Sequence, residues 1–288
     1  MRRSLVLGFF DGVHTAHRAV IESAVSYAGV QGTVPVLVTL KNSPALYFTG
    51  KIEYIFKREY SLSVIKNLGI NEIIELDFEK FVSLSAVEFL EYLVKNYSPK
   101  SISTGFNHTF GNNKSGNSKT LYDNQSKYGY DYICVPEQFV DGDQVSSTKI
   151  KQFLKSGNIK QANKMLQNEF FIEGKVEHGK QLGRTLGFPT ANIKYPDSIV
   201  KIPYGVYKTN LEIDNKKYCG MMNWGVKPTI ENVSEPIAEV HIINYKGDLY
   251  GRNIKINITD KIRDEKKFST LDELRIQIEK DVNLCLKS

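Results

Sequence analysis

The spacing of apolar residues changes once along the chain, near residue 168, and this change constrains the fold more than any other feature. Before it, apolar runs such as 34–40 alternate with stretches of helical spacing such as 15–28. After it, apolar and polar residues mostly alternate with a period of two. The sequence therefore predicts two domains, residues 1–167 and residues 168–288. We expect a mostly parallel α/β sheet in the first and a small antiparallel β-barrel in the second.

Capping patterns predict where several helices begin. Ser85, Asn158 and Thr270 each stand three residues before a Glu or Gln and precede an apolar stretch, as helix N-caps do. Another helix is predicted over 52–67. The helix after Thr270 would close the barrel domain, and it carries a predicted apolar stripe formed by Leu271, Leu274, Ile278, Val282 and Cys285.

Composition excludes several classes of protein. No apolar run among the 288 residues approaches 18, so no membrane helix is expected, and the first residues lack the features of a signal peptide. The three cysteines Cys134, Cys219 and Cys285 form no CxxC pair, which argues against a disulfide framework or a zinc site and favours a reducing cytoplasm.

The basic residues exceed the acidic ones, 38 to 32, for a net charge of +6. This excess suits a polyanionic small molecule such as a nucleotide as well as a nucleic acid. No basic run is interleaved with aromatic residues, so small-molecule substrates are expected rather than a nucleic acid or a membrane. The sequence leaves self-association open.

A first candidate site lies between a buried strand and a helix, in residues 8–17, GFFDGVHTAH. A glycine turn leads into the helix, whose unpaired N–H groups favour phosphate. His14 and His17 are three residues apart, so they share one face and either donate hydrogen bonds to phosphate oxygens or stabilise charge. A plain turn with exposed histidines is the alternative, and the strand–turn–helix context favours the phosphate site.

A second candidate site lies in residues 178–192, HGKQLGRTLGFPTAN. Three glycines permit close backbone approach to a ligand, and Thr190 and Asn192 supply a hydroxyl and an amide oxygen of the kind that suits Mg²⁺. The alternative is a glycine-rich loop in which these two residues cap a turn, and spacing alone leaves both readings open. The pattern is not a P-loop.

An acidic residue on a predicted strand is a candidate general base. Glu239 shares a strand face with His241 and Ile243, which predicts partial burial, and burial raises the pKa of a carboxyl group toward a useful range. The alternative is a cross-strand ion pair with a lysine such as Lys216 or Lys217. The residues alone favour neither interpretation.

Several of these segments resemble one enzyme family along essentially the whole chain. Residues 8–17 resemble the GxFDGxHxGH signature of nucleotidyltransferases, specifically the adenylyltransferase half of bacterial bifunctional riboflavin kinase/FAD synthetases. Residues 105–111, GFNHTFG, and 146–148, SST, followed by Lys151, are similar to two further motifs of that half. Residues 183–192, GRTLGFPTAN, closely resemble the flavokinase signature, and the later motifs of that domain follow in order.

The resemblance implies both fold and activity. It implies a Rossmann-like, HxGH-type nucleotidyltransferase domain followed by a riboflavin kinase barrel with a terminal α-helix. The implied activity is phosphorylation of riboflavin by ATP to FMN and adenylylation of FMN by a second ATP to FAD, with Mg²⁺ as cofactor.

The resemblance also assigns residues by position. It implies that Glu239 is the general base of the kinase, that Thr190 and Asn192 bind Mg²⁺, and that His14 and His17 are catalytic in adenylyl transfer. Arg263, Phe268 and Asn107 are the implied flavin contacts. The implied nucleotide contacts are Gly8, Phe10, Asp11, Gly12, His14, His17, Asn107, Ser147, Thr148, Lys151, Gly183, Thr190 and Asn192.

Four positions depart from the family pattern. Ala16 stands in place of glycine, Lys151 in place of arginine, His108 in place of phenylalanine and Asn117 in place of the usual aspartate. A methyl group at Ala16 lies where the helix backbone approaches a nucleotide, and lysine lacks the bidentate geometry of arginine. These departures favour an alternative, a riboflavin kinase with a degenerate or weakly active first domain.

Overall fold

The computed structural model describes residues 2–179, 182–226 and 236–287. The chain divides into two compact units, Met1–Ser147 and Thr148–Ser288. The boundary expected after residue 167 remains a prediction.

The first unit is built on a parallel sheet. Its five described strands run in the order β3-β2-β1-β4-β5, so the order reverses beside β1, where the crevice that binds ligands in such sheets is found. These strands are β1 Arg3–Leu7, β2 Val34–Leu40, β3 Glu72–Leu76, β4 Pro99–Gly105 and β5 Asp131–Val135.

Helices cover both faces of this sheet, because successive strand residues point to opposite faces and both sets are apolar. Leu5 and Ile102 pack in one buried cluster, whereas Val6 packs with Ile21 and Ala24 of α1 in the other. The described helices of this unit are α1 Thr15–Gln31, α2 Pro44–Thr49, α3 Arg58–Asn67, α4 Phe78–Phe81, α5 Ala86–Tyr97 and α6 Ser118–Tyr128. A two-residue hairpin, β6 Phe139–Val140 and β7 Asp143–Gln144, ends the unit.

The second unit is a closed antiparallel barrel in the order β10-β11-β12-β9-β8-β13. Two helices, α7 Ser147–Ser156 and α8 Ile159–Leu166, precede it, and a short helix α9 Leu182–Thr185 lies within it. The barrel strands are β8 Phe170–Glu177, β9 Thr190–Lys194, β10 Gly205–Ile213, β11 Lys216–Val226, β12 Pro236–Ile242 and β13 Asn253–Arg263. The chain ends with helix α10 Leu271–Leu286. The predicted fold class is confirmed in both units.

Alternation along the barrel strands directs mostly apolar side chains into the interior and leaves an outer face that is largely polar except where a helix packs on it. On β12, Ala238 and Val240 are fully buried, and the buried Trp224 of β11 donates a hydrogen bond to the carbonyl of Ile202. Glu239 and His241 therefore lie on the outer face.

Helix α10 covers part of that outer face. Ile278, Val282 and Cys285 pack with Val206 and Met221, as the predicted stripe requires. Leu271 is 58% exposed, so the stripe begins later than predicted.

The helix predicted over 52–67 begins only at Arg58. The preceding residues are held in another conformation because Ile55 N–H donates a hydrogen bond to the buried Asp11 carboxylate, and Ile55 is itself fully buried. The apolar residues of 52–57 therefore belong to the core without being helical. The prediction also missed α2, although Ser43 followed by Pro44 is a typical helix start.

Candidate active sites

The loop after β1 has an unusual backbone. Phe10, Gly12 and Val13 have φ values of 57°, 85° and 44°, in the left-handed region. A Cβ atom at Gly8 would lie 2.7 Å from the Phe10 ring, so Gly8 has to lack a side chain. Residues other than glycine hold such φ values only when the surroundings determine them, and this strain is common at ligand-binding loops.

Several contacts within the unit hold this loop. The Ser147 hydroxyl donates a hydrogen bond to the Asp11 carbonyl at 2.9 Å, and the Asp11 side chain is bonded to Ile55. The Arg58 guanidinium donates to the carbonyls of Phe9 and Leu40 and lies 5.0 Å from the Phe9 ring centroid. Phe10 and Asp11 are both predicted nucleotide contacts. Because Phe10 is buried in the core and the Asp11 side chain is bonded to Ile55, both side chains shape the loop.

His14 is the N-cap of α1, one residue before the helix rather than within its first turn. Its Nδ1 accepts a hydrogen bond from the His17 N–H at 3.4 Å, and the two rings stack with centroids 3.6 Å apart. Because Nδ1 accepts, Nε2 of the neutral ring carries the proton and is the donor. The His17 ring also lies edge-on to Phe10 at 5.0 Å, and its buried Nδ1 has no hydrogen-bond partner among the described groups.

Both imidazoles are neutral in the free protein. Burial lowers the pKa of His14 to about 3, against a smaller opposing effect of a backbone hydrogen bond. Burial also lowers the pKa of His17 well below its usual value, and the neighbouring His14 lowers it further. The pair therefore offers N–H donors to an anion, whereas the partial positive charge comes from the N-terminus of α1.

The segment after β4 lies at the same edge of the sheet, because β1 and β4 are parallel neighbours. Asn107 is exposed two residues beyond the strand. His108 stacks on Phe110 at 5.8 Å, and burial lowers its pKa to about 4. Asn117 is the N-cap of α6 and bonds to Thr120, which is a structural role.

The remaining predicted contacts of the first site, Thr148 and Lys151, are on α7. Thr148 is exposed in the first turn, and Lys151 is half-buried one turn later. Both belong to the second unit, and their part in nucleotide binding stays a prediction.

The three residues predicted for phosphoryl transfer lie together on the outer face of the barrel. Glu239 of β12 is paired directly with Asn192 of β9, and His241 is paired with Thr190. Glu239 and Thr190 are half-buried, and Asn192 is 6% exposed. The acid and the two oxygen donors are therefore neighbours on adjacent strands. Thr190 and Asn192 belong to a strand, not to a turn.

Two glycines of the glycine-rich segment, Gly179 and Gly183, make close contacts beside this face. A Cβ atom at Gly179 would lie 2.5 Å from the Asn192 amide nitrogen, and one at Gly183 would lie 2.4 Å from the Phe188 carbonyl. A cavity of ≈ 490 Å³ opens beside Thr190 and Asn192. Its lining also includes Arg184, Tyr245, Asp248 and Tyr250, together with the inward-facing Val240 and Ile242, whereas Glu239 is not one of the lining residues.

The residues present suit a magnesium ion that keeps waters and binds substrate phosphates. The hydroxyl of Thr190 and the amide oxygen of Asn192 are hard donors on one face, with the Glu239 carboxylate on the next strand. Among the described residues, no group of three or more His, Cys, Asp or Glu side chains is arranged to hold a metal ion alone. This donor set fits a metal carried in with a nucleotide.

Arg263, a predicted flavin contact, takes part in a buried ion pair. Its Nε and Nη2 atoms lie 2.9 and 2.8 Å from Oδ2 of Asp281, which is fully buried on α10. Gln277 donates to the other carboxylate oxygen at 2.8 Å, and the guanidinium lies 5.9 Å from the ring centroid of Phe268, the other predicted flavin contact. The flavin role of both residues stays a prediction.

Replacement Asp281→Ala is expected to destabilise the barrel by about 3 kcal/mol, because it leaves the largely buried Arg263 without its counter-ion. The chain has one tryptophan, Trp224, buried in the barrel, so urea unfolding followed by its fluorescence reports the barrel. The control Asp264→Ala removes an exposed partner of Lys261 and is expected to cost under about 1 kcal/mol. Equal midpoints for both variants would contradict the prediction.

Several residues at these sites have no marked signal in the sequence. Arg58 is one of them, and it ties together the ends of β1 and β2. Tyr245, Asp248 and Tyr250 line the cavity beside the barrel site, and no pattern in the sequence identified them as part of it.

Family models match both halves of the chain. A model described as FAD synthetase matches residues 1–149, and one described as riboflavin kinase matches residues 166–288. Together with the two sites, these matches define a two-unit transferase of flavin metabolism.

Whole-chain relatives agree with this class. The bifunctional riboflavin kinase/FMN adenylyltransferase of Bacillus subtilis is 34% identical over 286 residues, covering 96% of this chain and 89% of the relative. The Escherichia coli K12 protein of the same name is 33% identical, covering 96% of this chain and 90% of its own. This chain belongs to the bifunctional riboflavin kinase/FMN adenylyltransferase family.

A solved structure shares the fold along the whole chain. It is described as a macrolide-efflux protein from Streptococcus pneumoniae, and it matches with a TM-score of 0.91 and 31% identity over 100% of this chain and 95% of its own. This similarity shows that the two proteins share a fold. The activity in the description is that of the other protein. No helix in the described part of this chain is long and apolar enough to cross a membrane.

Proposed function

We propose that this protein phosphorylates riboflavin with ATP to FMN and then transfers an adenylyl group from a second ATP to FMN, giving FAD. The pairing of Glu239 with Asn192 and of His241 with Thr190 beside the cavity carries the first step. The strained loop and stacked histidines at the start of α1 carry the second. The family supports both.

In the kinase reaction, Glu239 accepts the proton of the terminal ribityl hydroxyl as that oxygen attacks the γ-phosphate of ATP. Thr190 and Asn192 orient the nucleotide phosphates and would hold the Mg²⁺ that accompanies them. When bound, the ion supplies neutralisation of phosphate charge, which is most of what phosphoryl transfer requires. Gly179 lies against the Asn192 side chain on this face, and excluding water there strengthens these interactions.

In adenylyl transfer, the FMN phosphate attacks the α-phosphate of ATP and pyrophosphate leaves. The nucleophile is already an anion, so no general base is needed. The His14 Nε2–H and the N-terminus of α1 stabilise the additional charge on the α-phosphate. We assign Asn107 to the nucleotide or the flavin, and Lys151 and Thr148 remain predicted nucleotide contacts.

One assay separates this proposal from its alternative. Purified protein is incubated with riboflavin, excess ATP and Mg²⁺, and the flavins are separated by chromatography. FMN and FAD together support the bifunctional enzyme. FMN alone supports a riboflavin kinase with a weak first unit, the alternative that Ala16 and Lys151 motivate, and no flavin product contradicts both. Omitting Mg²⁺ tests the metal requirement.

Replacement Ala16→Gly is expected to raise the yield of FAD from FMN several-fold. Ala16 is half-buried in the first turn of α1, directly between the stacked histidines in sequence, and glycine removes a methyl group where a nucleotide approaches. The control Ala19→Gly imposes a similar helix cost of about 0.5–1 kcal/mol away from the loop and should give no gain. An unchanged FAD yield for Ala16→Gly would show that the methyl group does not hinder adenylyl transfer.

We further propose a cytoplasmic location, because all three cysteines are free thiols, as a reducing compartment maintains them. Small molecules are the proposed partners. The expected lack of nucleic-acid binding and the open question of self-association remain predictions.

A further inference from the structure

His241 lies at the point where strand β9 begins. It is paired with Thr190, the first residue of that strand, and lies on the same outer face as Glu239, two residues earlier on β12. The resemblance gave this histidine no role.

The imidazole is hydrogen-bonded to the residue before Thr190. Its Nδ1 lies 2.9 Å from the carbonyl oxygen of Pro189. A carbonyl oxygen only accepts, so Nδ1 carries the proton and donates. The ring also lies edge-on to Phe188, with centroids 5.4 Å apart. One side chain therefore contacts both residues that lead into Thr190.

The segment that His241 holds is a tight loop. The Phe188 N–H donates to the Gly183 carbonyl at 2.7 Å, and Gly183 lies so close to Phe188 that a side chain would not fit. Pro189 has no N–H, so it cannot add a donor to the ladder where the loop joins β9. The His241 bond to the Pro189 carbonyl therefore supplies a fixed link between β12 and the loop at that junction.

We infer that His241 is a positioning residue for phosphoryl transfer, which acts by holding the Pro189–Thr190 backbone so that the Thr190 hydroxyl stays aligned with Asn192 and Glu239. This role rests on the proposed kinase function. It requires the Nδ1–H donor and not the charge of the ring, and it predicts a defect in nucleotide binding and turnover rather than in riboflavin affinity.

Three substitutions at this position separate the donor from the ring. The side-chain nitrogen of His241→Asn is attached at the same point as Nδ1, so this variant can keep the bond. His241→Gln places its nitrogen one bond further out, and His241→Phe keeps a ring of similar shape without a donor. We expect kcat/KM for ATP to fall about 10-fold or more in the Phe and Gln variants and to stay within about 3-fold of wild type in the Asn variant.

Two further measurements distinguish positioning from general damage. Calorimetric titration with Mg²⁺ and ADP is expected to give about 10-fold weaker binding in His241→Phe and near-normal binding in His241→Asn. The KM for riboflavin, the melting temperature and FAD formation from supplied FMN are expected to stay close to wild type in all three variants.

The outcomes are distinct. Equal losses in the Asn and Phe variants would mean that ring packing on Phe188 matters and would overturn the inference. Unchanged kinetics and ADP binding in His241→Phe would overturn it as well, as would a parallel fall in melting temperature and in FAD formation. Failure of the wild-type protein to make FMN would instead refute the proposed kinase function.

Discussion

Replacement Glu239→Gln is expected to lower the rate of FMN formation by about 10²- to 10⁴-fold, the usual contribution of a general base. Glutamine keeps the size of the side chain and the pairing of β12 with β9, so riboflavin binding should persist. The measurement is initial-rate chromatography of FMN, with riboflavin binding followed separately by flavin fluorescence.

Two controls accompany this substitution. Glu212→Gln makes the same chemical change at an exposed position of another barrel strand and is expected to leave the rate unchanged. FAD formation from supplied FMN, measured on the Glu239→Gln protein itself, should be normal because it uses the other site. Near-normal FMN formation by Glu239→Gln would remove this residue from the mechanism.

Acidification is expected to unfold the first unit through its buried imidazoles. Burial lowers the folded-state pKa of His14 to about 3 and of His108 to about 4, and lowers that of His17 well below its usual value, whereas an unfolded histidine titrates near 6.5. The unfolded chain therefore binds protons more tightly. The contribution that these neutral imidazoles make to folding stability is fully present above pH 6.5. It is lost as the pH falls from 6.5 toward their folded-state pKa values.

The expected effect is large. At pH 5 His14 and His108 each cost about 2 kcal/mol of folding free energy, which is a large share of the 5–15 kcal/mol that stabilises a typical domain, and His17 acts in the same direction. Circular dichroism should show loss of helix between pH 6.5 and 4. Trp224 fluorescence reports the barrel and should change in a separate transition.

Substitution of one imidazole tests the cause. His108→Phe restores the residue that the family pattern has at this position, and it removes one titrating group while keeping an aromatic contact with Phe110. Its acid midpoint is expected to move to lower pH. The control His178→Phe, in the barrel, should not move the midpoint of the first unit. A pH-independent helix signal down to pH 4 in the unmodified protein would contradict the whole account.

Much of the architecture could be predicted because the hydrophobic period carries it. The apolar run 34–40, which forms β2, and the capping box at Ser85 agree with the structure to the residue. The helix predicted over 52–67 was wrong in its first part because Ile55 is buried through a contact with Asp11, 44 positions earlier. Such long-range contacts have no local signature in the sequence.

The same distinction holds at the sites. The sequence identified Glu239, Thr190 and Asn192 as candidates, but only the pairing of β12 with β9 brings them side by side. Periodicity could not predict that the strand containing Thr190 begins directly after Pro189. Neither could it predict that His14 and His17 are stacked and neutral, because burial depends on the packing of the complete unit.

Closure of the barrel limits where this chain tolerates changes in length. A one-residue slip of β9 against its neighbouring strands would turn Thr190 and Asn192 inward and bring Ala191 and Ile193 out to solvent, because neighbours along a strand face opposite ways. The closed barrel has no free strand edge that could accommodate such a shift in register. The hairpin tip at Asp214 and Asn215, where β10 meets β11, lies outside the ladder. Loop grafts and affinity tags inserted there would leave the catalytic register intact.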